Sequence, residues 1–121
     1  MKRDLDLIRK ILLTIEGAPK SKESNAVEEL ESEHDYDILQ YHLSLLLEAG
    51  LINAIDMSSG NQPYGSYIVQ KLTWSGHEFL DTARNDTRWE KAKEATKKIA
   101  GISFDVLKAL LIAWMKEELG I

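Results

Sequence analysis

The chain is 121 residues long, with 44% hydrophobic residues, 29% charged residues and a formal net charge of −5. These values are typical of one globular domain, or of a small domain with a helical appendage, and exclude a disordered chain. No cysteine is present, which excludes disulfides, thiolate nucleophiles and cysteine metal sites and fits a reducing cytoplasm. Acidic side chains interrupt every apolar run near the start, so we predict no signal peptide, no membrane association and a cytoplasmic protein.

Three helices are predicted before residue 50. Asp4 is suited to cap the first, residues 24–30 form a short second helix capped by Ser24 or Asn25, and Asp37 caps a third helix that runs to about residue 49. Gly50 closes the third helix in the left-handed conformation. The leucines of the third helix are spaced to pack on the first helix: Leu39, Leu43 and Leu46.

A β-hairpin is predicted after Gly50. Residues 51–57 (LINAIDM) and 66–73 (SYIVQKLT) are rich in Ile, Val and Tyr, and they flank residues 58–65, which contain two glycines, an asparagine and a proline. Three further helices follow at about residues 73–86, 88–101 and 104–120. Thr73 or Ser75 caps the first of them, Ser103 caps the last, and Trp74 is expected to pack in the core.

The final helix has an apolar stripe that is wide enough to cover a substantial surface. Its candidate packing residues are Phe104, Leu107, Leu111 and Trp114. Two interpretations stay open for this stripe. It packs back on its own chain, or it pairs with a second copy in a homodimer.

Two motifs resemble parts of winged-helix regulators. HLSLLLEAGLI (residues 42–52) is similar to the end of the recognition helix and the first wing strand of MarR-type and ArsR-type proteins, and LTWSGHEFL (residues 72–80) resembles the segment after their second wing strand. The resemblance implies a mainly α, α+β fold: a winged helix-turn-helix of three helices and a β-hairpin wing over residues 1–86. C-terminal helices at residues 87–121 extend it, either packed on the domain or forming a dimer interface.

A closer resemblance covers nearly the whole chain, from MKRDLDLIRKIL at its start to the terminal amphipathic helix. It is to a domain-of-unknown-function family of small bacterial and prophage-associated proteins. This resemblance implies a fold and a genomic setting, and it supplies no catalytic or binding residues.

The leading functional hypothesis is a DNA-binding transcription regulator. The outward positions of the third helix are expected to read bases, and nearby lysines to contact phosphates. These DNA-facing candidates are Gln40, Tyr41, Ser44, Lys20, Lys22 and Lys71. The charge distribution is unfavourable for this hypothesis, because residues 1–56 carry a net charge of −6, residues 57–86 −1 and residues 87–121 +2.

The alternative hypothesis is a winged helix that binds another protein. Acidic residues crowd the start of the third helix and would form a docking face for a basic partner: Glu31, Glu33, Asp35 and Asp37. We predict no enzymatic activity, metal or cofactor, because His34, His42 and His77 lack ligand spacing and no phosphate-loop or nucleophile motif is present.

Overall fold

A computed structural model describes residues 1–19, 25–98 and 103–121. Within those ranges the chain forms six helices and one two-stranded antiparallel sheet, which confirms the predicted α+β class and element order. The elements are α1 (Leu5–Gly17), α2 (Glu28–Glu31), α3 (Tyr36–Glu48), β1 (Ile52–Asp56), β2 (Tyr67–Leu72), α4 (Trp74–Ala83), α5 (Asp86–Lys98) and α6 (Phe104–Leu119). None of the helices in these ranges is both long and apolar enough to span a bilayer.

The chain divides into two compact units, Met1–His77 and Glu78–Ile121. Helix α4 crosses the boundary between them. Residues 78–86, which the sequence places with the first domain, lie in the second unit.

The core of the first unit is formed by α1, α3 and the hairpin. Asp4 caps α1 as predicted, because its carboxylate accepts a hydrogen bond from the Leu7 N–H. The leucines predicted to face α1 are fully buried, together with one side of α1 and of the sheet. The buried apolar residues include Ile8, Ile11, Leu12, Leu39, Leu43, Leu46, Ile52 and Val69.

His42 fastens α3 to the start of α1. Its Nε2 accepts a hydrogen bond of 2.8 Å from the Asp4 N–H, and its Nδ1 lies 2.7 Å from the Ile38 carbonyl oxygen. Because a backbone N–H can only donate, Nε2 is the acceptor, and Nδ1 therefore carries the proton that binds the carbonyl. The imidazole is buried and has a structural role.

Gly50 ends α3 in the left-handed conformation that the sequence predicts, with a φ of +73°. The Gly50 N–H donates to the Leu47 carbonyl and the Leu51 N–H to the Leu46 carbonyl, at 3.1 and 3.0 Å. This pair of bonds is the Schellman motif, which satisfies the last carbonyls of a helix. The chain therefore turns sharply from α3 into β1.

The two ends of the hairpin meet at a junction formed by Gly50, Leu51, Thr73 and Gly76. The Thr73 N–H donates to the Leu51 carbonyl at 3.0 Å, and the Thr73 hydroxyl donates to the Gly50 carbonyl at 2.5 Å. The same hydroxyl accepts the Gly76 N–H at 3.0 Å, so Thr73 rather than Ser75 stabilises the first turn of α4. A Cβ on Gly76 would lie 2.0 Å from the Leu51 carbonyl oxygen.

Trp74 is 81% exposed, so the prediction that it packs in the core is wrong. The first turn of α4 directs Gly76 toward the Leu51 backbone. Two residues along a helix correspond to a rotation of about 200°. Trp74 therefore points to the opposite side, away from that backbone.

The hairpin is antiparallel, with Ile52 opposite Leu72 and Asp56 opposite Tyr67, and an irregularity between Asn53 and Ala54.

Residues before α2 contact the edge of β2 at Val69. The Ala26 N–H donates to the Val69 carbonyl at 3.0 Å, and the Asn25 side-chain oxygen accepts the Val69 N–H at 3.1 Å. These bonds satisfy backbone groups of an edge strand that would otherwise need water.

Two predicted helix caps are corrected. Asp35, not Asp37, caps α3, because its carboxylate accepts the Ile38 N–H at 3.1 Å. Helix α2 begins at Glu28, after Val27, without a side-chain cap. The Asn25 side-chain oxygen accepts the Val69 N–H of β2 and also the Val27 N–H at 3.3 Å, and Ser24 lies outside the described residues.

The second unit packs α5 on α6. Ser103 caps α6 as predicted, and its hydroxyl accepts the Val106 N–H at 3.3 Å. Buried side chains from α4, α5 and α6 form the core of this unit: Phe79, Leu80, Trp89, Ala92, Leu107 and Leu111. Arg88 is also buried, and it binds the Thr82 carbonyl at 2.8 Å and the Glu118 carboxylate at 3.3 Å.

Candidate binding surface

Helix α3 has an outward side that lies next to the hairpin loop. Asp37, Tyr41 and Ser44 share this side by their spacing and are partly exposed, and Tyr36 and Ile38 in the first turn of α3 are exposed. The prediction of Tyr41 and Ser44 as outward positions is therefore consistent with their burial.

Gln40 lies on the inner side of α3, so the prediction that it faces outward is wrong. Its side chain is 1% exposed, and its Oε1 accepts a hydrogen bond of 2.9 Å from the Tyr67 N–H of β2. The hairpin packs along this side of the helix, and its edge strand needs an acceptor at that point. Gln40 holds the sheet against α3 and is not available to read a base.

All four tyrosines of the chain lie where α3 meets the hairpin. The rings of Tyr41 and Tyr64 contact each other edge to face, with centroids 5.4 Å apart. The Tyr36 hydroxyl donates to the Ser66 hydroxyl at 2.7 Å, and the Tyr67 backbone is bound by Gln40. We call this surface the tyrosine face and define it as Tyr36, Tyr41, Tyr64, Ser66 and Tyr67.

The hairpin loop is held by its own side chains. The Gln62 Oε1 accepts hydrogen bonds from both the N–H and the hydroxyl of Ser59, and the Ser58 hydroxyl accepts the Ser66 N–H at 3.0 Å. Gly65 has a φ of +89° and lies against the Tyr67 ring, where a Cβ would come within 2.7 Å of that ring. These bonds fix the positions of Tyr64 and Ser66.

The segment of the chain that contains the tyrosine face is acidic. Residues 23–70 contain nine Asp or Glu and no Lys or Arg. Asp35 and Asp37 flank Tyr36 in sequence, and Asp56 is opposite Tyr67 in the hairpin. The hydroxyl and backbone N–H of Ser58 lower the pKa of the Asp56 carboxyl, because both stabilise its ionised form.

Of the three predicted lysines, the structure describes one. Lys71 is exposed on β2, whereas Lys20 and Lys22 lie outside the described residues. Lys10 on α1 binds Glu33 at 3.0 Å, and the hydrogen bond and charge of Lys10 lower the pKa of the Glu33 carboxyl. Among the described residues, Lys10 is the cation nearest in sequence to the start of α3, and it is paired with a carboxylate.

The packing candidates of α6 lie within the second unit. Leu107 and Leu111 are buried there, and the rings of Phe104 and Phe79 have centroids 4.7 Å apart. Trp114 is partly exposed beside a cleft, with the Lys91 ammonium 4.5 Å from its ring centroid. Leu107 and Leu111 therefore pack within their own chain, and pairing of the stripe with a second copy stays a prediction.

The sequence did not single out Tyr36, Tyr64 or Tyr67 as members of the surface. One signal was available, because all four tyrosines fall within residues 36–67. No group of three or more His, Asp or Glu side chains in the described parts of the chain is placed to hold a metal ion.

Comparison with known proteins shows a family without an assigned activity. The profile of a family described as "Hypothetical protein (DUF2513)" matches residues 2–103. The chain is 44% identical over 109 residues to an uncharacterized protein of Haemophilus influenzae, covering 89% of this chain and 90% of the relative. No solved structure matches the chain.

Proposed function

The chain belongs to the DUF2513 family of hypothetical proteins, and for this member we propose a winged-helix module that binds another protein through the outward side of α3 and the hairpin. The order of three helices and an antiparallel hairpin supports the winged-helix assignment. The Gly50–Thr73–Gly76 junction supports it further, because the two motifs that resemble winged-helix regulators contact each other there.

One observation carries the choice of protein over DNA. The segment that contains all the DNA-facing candidates, residues 20–71, has nine acidic residues against three lysines, Lys20, Lys22 and Lys71. A DNA-binding surface needs cations because much of its affinity comes from counterions released when phosphates are neutralised. An acidic surface is instead complementary to a basic protein and increases the rate of its association.

DNA binding is the second candidate. The winged-helix arrangement favours it, and Tyr41, Ser44 and Lys71 keep partly or fully exposed side chains in positions that could contact a duplex. This candidate requires contacts from Lys71 to compensate for the repulsion between phosphates and Asp35, Asp37 and Asp56.

Affinity purification followed by calorimetry tests the proposal. The tagged chain and the variant Asp37→Lys/Asp56→Lys are used to capture partners from the native host, and each captured protein is then purified and titrated. We expect a partner whose affinity for the wild-type chain falls at least about tenfold with the variant and also falls as salt rises. Asp105→Lys/Glu117→Lys, two exposed positions in the second unit, serves as the charge-matched control and is expected to bind like the wild type.

Duplex binding is measured in parallel with random-sequence DNA at low salt. The protein-binding proposal predicts no measurable complex for the wild type. A complex whose affinity falls steeply with salt and weakens with Lys71→Glu would overturn it in favour of DNA.

We further propose that the chain is a cytoplasmic protein of a bacterial or prophage genome and that it acts without catalysis, metal or cofactor.

A further inference from the structure

We propose that the tyrosine face binds an arginine-rich segment of the partner protein, an inference that rests on the proposed protein-binding function. Such a segment would place guanidinium groups over exposed tyrosine rings and pair others with the carboxylates of Asp35, Asp37 and Asp56.

The rings of Tyr36 and Tyr64 are exposed to solvent and are held in fixed positions. Tyr36 and Tyr64 are 42% and 37% exposed, although each makes a defined contact: Tyr36 with the Ser66 hydroxyl and Tyr64 with the Tyr41 ring. Tyrosine provides a large contact area with few rotatable bonds, so an ordered cluster loses little conformational entropy on binding. Serine, glycine and asparagine in the adjoining loop resemble the composition of protein-binding loops.

The carboxylates of three aspartates give this part of the chain a negative charge that is complementary to arginine. Asp35 and Asp37 are the sequence neighbours of Tyr36, and Asp56 lies opposite Tyr67. The Asp35 carboxylate accepts one N–H, from Ile38, and the Asp56 carboxylate accepts the Ser58 N–H. Each carboxylate has about four lone-pair positions, so both can accept further donors.

The chemistry of this surface favours arginine over lysine in the bound segment. Guanidinium is planar, stacks on aromatic rings and offers paired donors to a carboxylate, whereas ammonium is a compact and strongly hydrated charge. A segment of the chain that offers both exposed rings and carboxylates uses both properties of guanidinium at once. An apolar segment would leave the carboxylates without a counter-charge, and an acidic segment or a duplex would be repelled.

Titration with short peptides tests the inference. The probes are peptides of about six Arg-Gly repeats, the equally charged Lys-Gly peptide and the Glu-Gly peptide, each added to the full chain at low salt and followed by calorimetry and NMR. We expect the Arg-Gly peptide to bind at least about threefold more tightly than the Lys-Gly peptide and the Glu-Gly peptide not to bind. Shifts should appear at Tyr36, Tyr64 and their neighbours.

Variants separate rings from charge. Tyr36→Ala/Tyr64→Ala should weaken the Arg-Gly complex by about fivefold to thirtyfold, from the loss of two cation–π contacts. Tyr64→Phe keeps the ring and should bind within about twofold of the wild type. Trp74→Ala removes an exposed aromatic side chain outside the tyrosine face and is expected to leave the affinity unchanged. Circular dichroism confirms that each variant is folded.

Equal affinity for the Arg-Gly and Lys-Gly peptides, or unchanged affinity of the double tyrosine variant, would overturn the inference because charge alone would then explain binding. Absence of any Arg-Gly complex would overturn it as well. In both cases the proposed function stands if a captured partner still depends on Asp37 and Asp56. A salt-sensitive duplex complex without a captured partner would overturn the proposed function itself.

Discussion

Gly76 occupies a position where no larger residue fits. The Leu51 carbonyl oxygen would lie 2.0 Å from a Cβ at this position, and it is a backbone atom that also accepts the Thr73 N–H. A methyl group there could be accommodated only by moving α4 away from the base of the hairpin. The glycine of the LTWSG motif is therefore required for packing.

Gly76→Ala is expected to lower the free energy of unfolding by about 2–4 kcal/mol, because overpacking against backbone cannot be relieved by a rotamer change. Urea unfolding followed by circular dichroism measures the loss. Gly17→Ala is the matched control, since Gly17 is also helical and its Cβ would meet nothing within 4 Å. The control should be neutral or slightly stabilising. Equal effects of the two substitutions would contradict the steric explanation.

Gln40 is a polar residue in a structural position. Replacing it with alanine leaves the Tyr67 N–H without its acceptor, so Gln40→Ala should cost about 1–3 kcal/mol of stability. The exposed Gln70 of β2 provides the control, and Gln70→Ala should change stability by less than about 0.5 kcal/mol. Thermal unfolding compares them. A stable Gln40→Ala variant that loses only a binding activity would show that the residue is functional instead.

At the level of elements, Lys10 connects α1 to the segment between α2 and α3 through Glu33. The pKa of Glu33 is lowered in the folded chain, so the ionised form is favoured there. Its contribution to stability is present above the pKa of the unfolded chain and is lost as the pH falls through the folded pKa. Because both side chains are about half exposed, the effect is small.

Lys10→Met should therefore lower the melting temperature slightly at neutral pH and not at all once Glu33 is protonated. Melting curves of the two proteins between about pH 7 and pH 2.5 measure the difference. The difference should close within the acidic range in which glutamate titrates. A gap that is the same at both ends of the pH range would contradict a role for the Lys10–Glu33 pair.

The helices and strands were predictable because their signals are local. Apolar periodicity placed α1 and α3, Gly50 marked the end of α3, and β-branched residues around a glycine-rich loop marked the hairpin. Asp4 and Ser103 were identified as caps because each is a suitable residue just before an apolar run.

The errors arose where a distant partner decides the outcome. Gln40 is buried because of Tyr67, 27 residues away, and Asn25 is directed to Val69, 44 residues away. Asp35 and Asp37 are equally suitable caps by sequence, and only the geometry of the first turn of α3 selects Asp35. The tyrosine face combines a helix and a loop, so no periodic pattern in the sequence could define it.

At the scale of the whole molecule, the chain contains two units, each with its own buried residues. Leu43 is fully buried in the first unit and Leu111 in the second. Truncating either side chain should cost about 2–5 kcal/mol, from lost transfer free energy and the cavity that remains.

Hydrogen exchange locates the effect of each truncation. Leu111→Ala should speed exchange mainly in residues 78–121, and Leu43→Ala mainly in residues 1–77, because local opening follows the loss of local packing. The two variants serve as controls for each other. Uniform acceleration across the chain in both variants would show that the two units unfold as one cooperative body.

The gathering of the tyrosines has a consequence for spectroscopy. All four tyrosines contribute to one face, while the tryptophans occupy positions 74, 89 and 114. Growth on fluorotyrosine would place four ¹⁹F nuclei on this surface and nowhere else in the chain. Their resonances would report directly on a ligand of any chemical class that approaches the face, and no chemical labelling step would be needed.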